Sequence, residues 1–121
     1  MTEVRLSFKD MCARFDATPR TLRYYEYIEL ISPYKEGRTR SYGPREVARM
    51  TLILRGRRFG FSLEEIRQWL LIYEQKGNGP QMKAWIELAD RQLAALARQR
   101  DDLDCAIADL TSLRNAQADA G

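Results

Sequence analysis

Residues 18–30 read TPRTLRYYEYIEL, and this stretch decides the fold of the N-terminal half. Thr18 suits an N-cap and Pro19 suits a first helical turn, so a helix is predicted from Pro19 to about Ile28. One side of this helix is apolar and packs inward through Leu22, Tyr25 and Ile28. The other side is basic and aromatic, with Arg20, Arg23, Tyr24 and Tyr27. Because arginine binds guanine or phosphate and tyrosine reaches phosphate oxygens, this side suits the major groove of DNA.

A shorter helix precedes this one. Its apolar residues recur at helical spacing and are Phe8, Met11, Cys12 and Phe15. Ser7 and Asp10 form its N-terminal capping pattern, and we place the helix from Phe8 to about Arg14. Asp16 and Ala17 then make a tight turn. Two short helices joined by such a turn predict a helix-turn-helix.

Residues 30–44, LISPYKEGRTRSYGP, predict a small β-hairpin after the two helices. We expect strands at 30–33 and 39–42, joined through residues 35–37. Lys35, Arg38 and Arg40 lie in this wing, where they fit phosphate or minor-groove contacts. A solvated basic loop is the alternative.

Two further helices are predicted between residues 44 and 75. The first starts at Pro44, stops at Gly60, and directs inward Val47, Met50, Thr51 and Leu54. The second opens on a capping box formed by Ser62 and Glu65, and its inner face is Leu63, Ile66, Leu70 and Tyr73. Between them, Arg55, Arg57 and Arg58 give a basic turn that suits a second wing.

From residue 81 to 118 the chain has neither glycine nor proline, which predicts one long helix. Steps of four and three residues define an apolar seam of Met82, Ile86, Ala89, Leu93, Leu96, Arg100, Leu103, Ile107, Leu110 and Arg114. No other segment is long enough to cover this seam, so we expect a homodimer, with a helix folded back on its own domain as the alternative. Arg100 would pair with Asp101 or Asp104 of a second subunit. We therefore assign residues 1–76 to a winged domain, 77–80 to a linker and 81–118 to dimerisation.

Charge and composition limit the classes of function that the chain can have. The net charge of +3 is uneven, because residues 1–61 hold 13 basic and 7 acidic residues whereas residues 62–121 hold 7 and 10. A basic N-terminal half is typical of a polyanion-binding surface. With no histidine and two distant cysteines, Cys12 and Cys105, the sequence predicts no catalytic site, no metal and no cofactor. It shows no signal peptide or membrane span, so we expect a cytoplasmic, nucleoid-associated protein.

Three separated motifs, TLRYYEYIEL, GRTRSY and LILRGRRFGFSLEEI, resemble the MerR family of dimeric regulators. The resemblance implies a mainly α fold, in which a winged helix-turn-helix precedes a long C-terminal helix that forms an antiparallel coiled-coil dimer. It also implies a pseudo-palindromic operator that the dimer bends and underwinds, with RNA polymerase at the promoter as a further partner. By matching position, the implied DNA contacts are Arg20, Thr21, Arg23, Tyr24, Arg38, Arg40, Tyr42 and Arg57.

The chain also departs from parts of that family. Its long helix starts GPQMKAW, without the cysteine that metal-sensing members carry there, and it has no room for the ligand-binding domain of drug-sensing members. RGRRFGFSLEEI is most similar to the LiuR-like group, which implies control of branched-chain amino-acid and acyl-CoA breakdown. Two other functions stay open: a dimeric coiled-coil interaction module that binds nucleic acid weakly, and, less favoured, an enzyme.

Overall fold

The computed structural model describes residues 4–75 and 77–120. Its elements, in chain order, are β1 (Leu6–Ser7), α1 (Phe8–Phe15), α2 (Pro19–Tyr27), β2 (Tyr34–Glu36), β3 (Thr39–Tyr42), α3 (Pro44–Phe59), α4 (Leu63–Gln75) and α5 (Gly79–Ala120). The chain divides after residue 77 into two units, of which the first holds every element up to α4 and the second is α5. The predicted domain boundary at residue 76 lies outside the described residues.

The helix-turn-helix forms through the caps that the sequence predicts. The Ser7 hydroxyl accepts from the Asp10 amide at 3.1 Å, and the Thr18 hydroxyl accepts from the Thr21 amide at 3.1 Å. Between the helices, Asp16 adopts a left-handed conformation with φ 50°. An aspartate tolerates this conformation better than most residues, so a turn of three residues suffices to join α1 to α2.

The end of α2 is strained at one residue. The Leu30 amide donates to the Tyr25 carbonyl at 2.9 Å, and the Glu29 amide donates to the Glu26 carbonyl at 3.0 Å. This is a Schellman motif, in which the residue after the C-cap is usually glycine because its φ is positive. Here that residue is Glu29, with φ 64°. A side chain with a Cβ therefore holds a position that glycine would fill without strain.

Replacing Glu29 by glycine is expected to stabilise the protein by about 1 kcal/mol, since a left-handed conformation costs a Cβ-bearing residue about 1–2 kcal/mol and glycine also frees the unfolded chain. Urea unfolding of the two proteins measures the difference. Glu29→Ala is the matched control, because it removes the same carboxylate and keeps the Cβ. Equal stability of the glycine and alanine variants would contradict the assignment of strain.

The observed sheet differs from the predicted wing in the position of its first strand. Its order is β1-β3-β2, and both pairings are antiparallel. The first wing strand is Tyr34–Glu36, so the prediction of a strand at 30–33 is wrong. Leu30 and Ile31 are instead buried in the core, and Pro33 has no N–H to donate to a strand partner. The predicted second strand is confirmed, and a loop of two residues precedes it, with Gly37 at φ 61°.

Helices α3 and α4 complete the core of the first unit. Its fully buried side chains are Met11, Leu22, Leu30, Tyr42, Met50, Ile53, Ile66 and Leu70. The predicted capping box of α4 is confirmed by two reciprocal bonds between Ser62 and Glu65. Two predicted inward positions are wrong: Thr51 is exposed and bonds back to the Val47 carbonyl, and Tyr73 is 65% exposed.

Gly56 sets the distance between α3 and α4. A Cβ at this buried position would lie 2.7 Å from Ile66 Cγ1, closer than carbon atoms pack. We expect Gly56→Ala to destabilise the fold by up to about 2 kcal/mol, because overpacking costs about 1–3 kcal/mol and the gain in helix propensity offsets about 1 kcal/mol of it. Gly79→Ala is the control, since its Cβ would meet nothing within 4 Å. Equal urea midpoints for both variants would contradict the close approach.

The second unit is the single helix α5, whose 42 residues span about 63 Å. It begins at Gly79 rather than at residue 81, so half of the predicted linker is helical, and it continues two residues past 118. Asn78 and Gln81 explain the start, because each side chain accepts from the other's backbone amide, at 2.8 and 3.1 Å. Among the described residues, no helix is both long and apolar enough to cross a membrane.

Candidate DNA-binding surface

The recognition helix α2 presents the basic and aromatic side that its sequence predicts. Tyr25 is buried at 6% exposure, whereas Tyr24 is 49% and Tyr27 is 83% exposed. Arg20 and Arg23 are exposed on the same helix. The guanidinium of Arg23 lies 5.3 Å from the ring centroid of Phe8, a cation–π distance that steadies it without using its N–H donors.

The hydroxyl of Thr21 takes part in the N-cap of α2 and can still donate a hydrogen bond. Its hydroxyl accepts from the Thr18 hydroxyl at 2.9 Å, within the N-cap of α2. Since a hydroxyl is both donor and acceptor, the Thr21 O–H proton stays available for a phosphate oxygen at the helix N-terminus. The N-terminal end of a helix also favours an anion through its unpaired amides and its dipole.

The wing carries a second group of cations. Lys35, Gly37, Arg38 and Arg40 line a concavity of about 250 Å³. Lys35 and Arg38 are exposed there, and Arg40 is partly exposed. On strand β2, the ring of Tyr34 lies 3.9 Å from the Arg5 guanidinium, which adds one cation beside the hairpin. Sequence reasoning missed Arg5, because the pairing of β1 with β3 was not predicted.

Tyr42 is not available to DNA, and its predicted role as a contact is wrong. Its side chain has 0% exposure, and its hydroxyl donates to Glu26 Oε2 at 2.7 Å. Burial raises the pKa of this hydroxyl above its usual range, and the Glu26 carboxylate raises it further. Tyr42 is therefore a protonated core residue that fixes the last position of β3.

Glu26 is a residue of this surface that sequence reasoning missed. Besides the Tyr42 hydroxyl it binds Arg40, whose Nε lies 3.2 Å from Oε1, and its side chain is only 10% exposed. The sequence holds one sign of this role, because Glu26 lies one turn after Leu22, on the apolar side of an otherwise basic helix. A buried carboxylate needs a partner, and such a position indicates one.

The basic residues at the C-terminal end of α3 are partly committed to structure. Arg57 donates from Nη1 to the Phe61 carbonyl at 3.3 Å, across the loop that leads into α4. Arg55 and Arg58 are exposed on the same stretch of α3. The geometry agrees with a second positive wing, in which Arg57 keeps further N–H donors for a phosphate.

A network of ion pairs, also unforeseen, ties the loop after α2 to α3 and α4. Arg49 donates from Nε to the Leu30 carbonyl at 2.7 Å and binds Glu74 through Nη1 at 2.6 Å. Arg45 binds both Glu46, at 2.7 Å, and Glu74, at 3.0 Å. Burial acts to raise the pKa of Glu74, but the two arginines together lower it below its ordinary value. The network therefore anchors the backbone that follows the C-terminal end of α2.

These features define a winged helix-turn-helix protein whose exposed cations lie on a recognition helix, a hairpin and a basic turn. The comparisons agree. The profile of the MerR HTH family regulatory protein matches residues 6–71, and that of MerR, DNA binding, matches residues 47–114. The HTH-type transcriptional regulator HmrR of Rhizobium leguminosarum bv. viciae is 36% identical over 96 residues, which cover 78% of this chain and 67% of that protein. The chain belongs to the MerR family.

Solved structures share the fold. A MerR-family transcriptional regulator from Bacillus cereus superposes with a TM-score of 0.72 at 24% identity, over 87% of this chain and 76% of its own. HiNmlR, a MerR-family regulator that lacks the sensor domain and was solved bound to promoter DNA, superposes with a TM-score of 0.67 at 15% identity, over 86% of this chain and 79% of its own. The predicted fold, a winged helix-turn-helix followed by a long C-terminal helix, is confirmed.

Proposed function

We propose that this chain is a sequence-specific transcriptional regulator that binds promoter DNA. The observation that carries the proposal is the exposure of Arg20, Arg23 and Tyr24 on one helix, next to a hairpin that carries Arg38 and Arg40. The helix would enter the major groove and read base edges, while the wing would hold the phosphate backbone. HmrR is a transcriptional regulator and HiNmlR binds promoter DNA, which supports the same function here.

The regulator would act as a homodimer joined through α5. Its seam is apolar yet exposed, as Leu93 and Leu103 at 63%, Ile107 at 64% and Leu110 at 68% illustrate. An exposed apolar stripe of this length requires a partner helix, and a second copy of α5 supplies one of equal length and pattern. We propose an antiparallel coiled coil with its core at Ile86, Ala89, Leu93, Leu96, Arg100, Leu103, Ile107 and Leu110.

A two-fold dimer matches a pseudo-palindromic operator, with one winged domain for each half-site. We propose that binding bends and underwinds the operator. We also propose that RNA polymerase is a partner bound at the same promoter. The LiuR-like resemblance makes genes of branched-chain amino-acid and acyl-CoA breakdown the first targets to test.

The second candidate is a coiled-coil interaction module with weak nucleic-acid binding. The exposed seam and the net charge of −3 on residues 62–121 favour it, because such a helix could recruit another protein. Binding of an operator duplex and of a scrambled duplex at physiological salt separates the two candidates. A regulator should prefer the operator by a factor on the order of a thousand or more, and equal binding would favour the module.

A further inference from the structure

Glu26 connects the recognition helix to the wing through both of its carboxylate oxygens. Oε2 accepts from the Tyr42 hydroxyl at 2.7 Å, and Oε1 lies 3.2 Å from Nε of Arg40. Tyr42 and Arg40 both belong to β3, so one α2 side chain fixes this strand at two points, two residues apart. The side chain of Glu26 is 10% exposed, so little water competes for this hydrogen bond and this ion pair.

The ion pair also fixes the direction in which Arg40 points. Its Nε is closed to solvent and makes no hydrogen bond, so the contact with Glu26 is an ion pair by distance alone, while the side chain as a whole is 38% exposed through its other atoms. A guanidinium is planar and rigid, and holding Nε fixes the orientation of its terminal nitrogens as well. The second wing arginine, Arg38, is exposed and has no such partner on the recognition helix.

A carboxylate on a DNA-reading helix opposes binding by its charge, because it repels the phosphates. The ion pair with Arg40 offsets that repulsion, and it also orients the guanidinium of Arg40. From this geometry, and resting on the DNA-binding function proposed above, we propose that Glu26 is a positioning residue. It holds β3 against α2 and aims Arg40 at a backbone phosphate of the operator.

The test compares Glu26→Gln with Glu29→Gln. Both changes remove one negative charge near the C-terminal end of α2, but the side chain of Glu29 makes no hydrogen bond or ion pair with the described residues. Affinities are measured for two duplexes of equal length: the duplex selected by the wild-type protein from a random pool, and its scrambled version. We expect Glu26→Gln to weaken binding to both duplexes about tenfold, the size of one lost phosphate contact, because a phosphate is present whatever the sequence. Glu29→Gln should tighten both slightly.

Two further variants separate positioning from folding. In an Arg40→Ala background, Glu26→Gln should weaken binding to neither duplex any further, because its role passes through Arg40. Arg40→Lys keeps the charge but lacks Nε and the planar guanidinium, so it should lose affinity for both duplexes as Arg40→Ala does. This variant leaves Glu26 in place and tests the proposal even where Glu26→Gln unfolds.

Three results would overturn the positioning role: Glu26→Gln behaving like Glu29→Gln on both duplexes, its effect persisting in the Arg40→Ala background, or Arg40→Lys binding the operator as the wild type does. Failure of the proposed function has a different signature. There, the wild-type protein itself would bind the selected and the scrambled duplex equally.

Discussion

Replacing Leu103 by glutamate is expected to turn the proposed dimer into a monomer at micromolar concentrations. Leu103 is 63% exposed in the single chain and belongs to the proposed seam, so the change removes little packing from the folded monomer. In the dimer, both copies would place a carboxylate in an apolar interface. Losing two buried leucines costs roughly 4 kcal/mol or more, which raises the dimer dissociation constant about a thousandfold. Light scattering of the purified variant measures the mass directly.

Ala108→Glu is the matched control for this variant. It adds the same charge to the same helix, at an exposed position that the seam leaves outside, and alanine, leucine and glutamate are all good helix formers. The control should remain a dimer. A Leu103→Glu protein that also remains a dimer at low concentration would contradict the coiled-coil assignment.

Replacing Arg23 by alanine is expected to weaken operator binding by about 1–3 kcal/mol for each half-site and to relax the preference at one base pair. Arg23 is exposed on α2, and its only described ring contact, with Phe8 at 5.3 Å, leaves its donors available. Titrations against operators that carry single base-pair changes would locate the base that it reads.

Arg38→Ala is the comparison for this prediction. If Arg38 holds a phosphate, its loss weakens binding to all sequences alike and lowers the salt slope by about 1 for each contact. If the Arg23→Ala protein keeps its operator preference, Arg23 does not read a base. A loss equal for operator and scrambled duplex would make Arg23 a phosphate ligand instead.

The helices could be predicted from the sequence because local chemistry sets their ends. Ser7, Thr18 and Ser62 cap helices where the sequence places them, and Pro44 and Gly60 bound α3 as expected. Helical periodicity likewise separated the buried Tyr25 from the exposed Tyr24. Such signals act within about four residues, and a single sequence displays them.

The parts that sequence reasoning missed depend on contacts between distant segments. Strand β1 has two residues and exists only through its pairing with β3. Leu6 pairs with Tyr42, which lies 36 positions further along the chain. Tyr42 carries a hydroxyl that suits a DNA contact, and only the tertiary position of Glu26 shows that this hydroxyl is used inside. Glu29 gave no sign of its positive φ, because glycine is the usual residue there.

Selection of bound sequences from a random duplex pool, followed by affinity against salt concentration, tests the central claim most directly. A dimeric operator-reading regulator predicts an inverted repeat with two half-sites, and an affinity that falls steeply as salt rises. A pool that remains random after repeated rounds, with equal affinity for all duplexes, would contradict sequence-specific regulation.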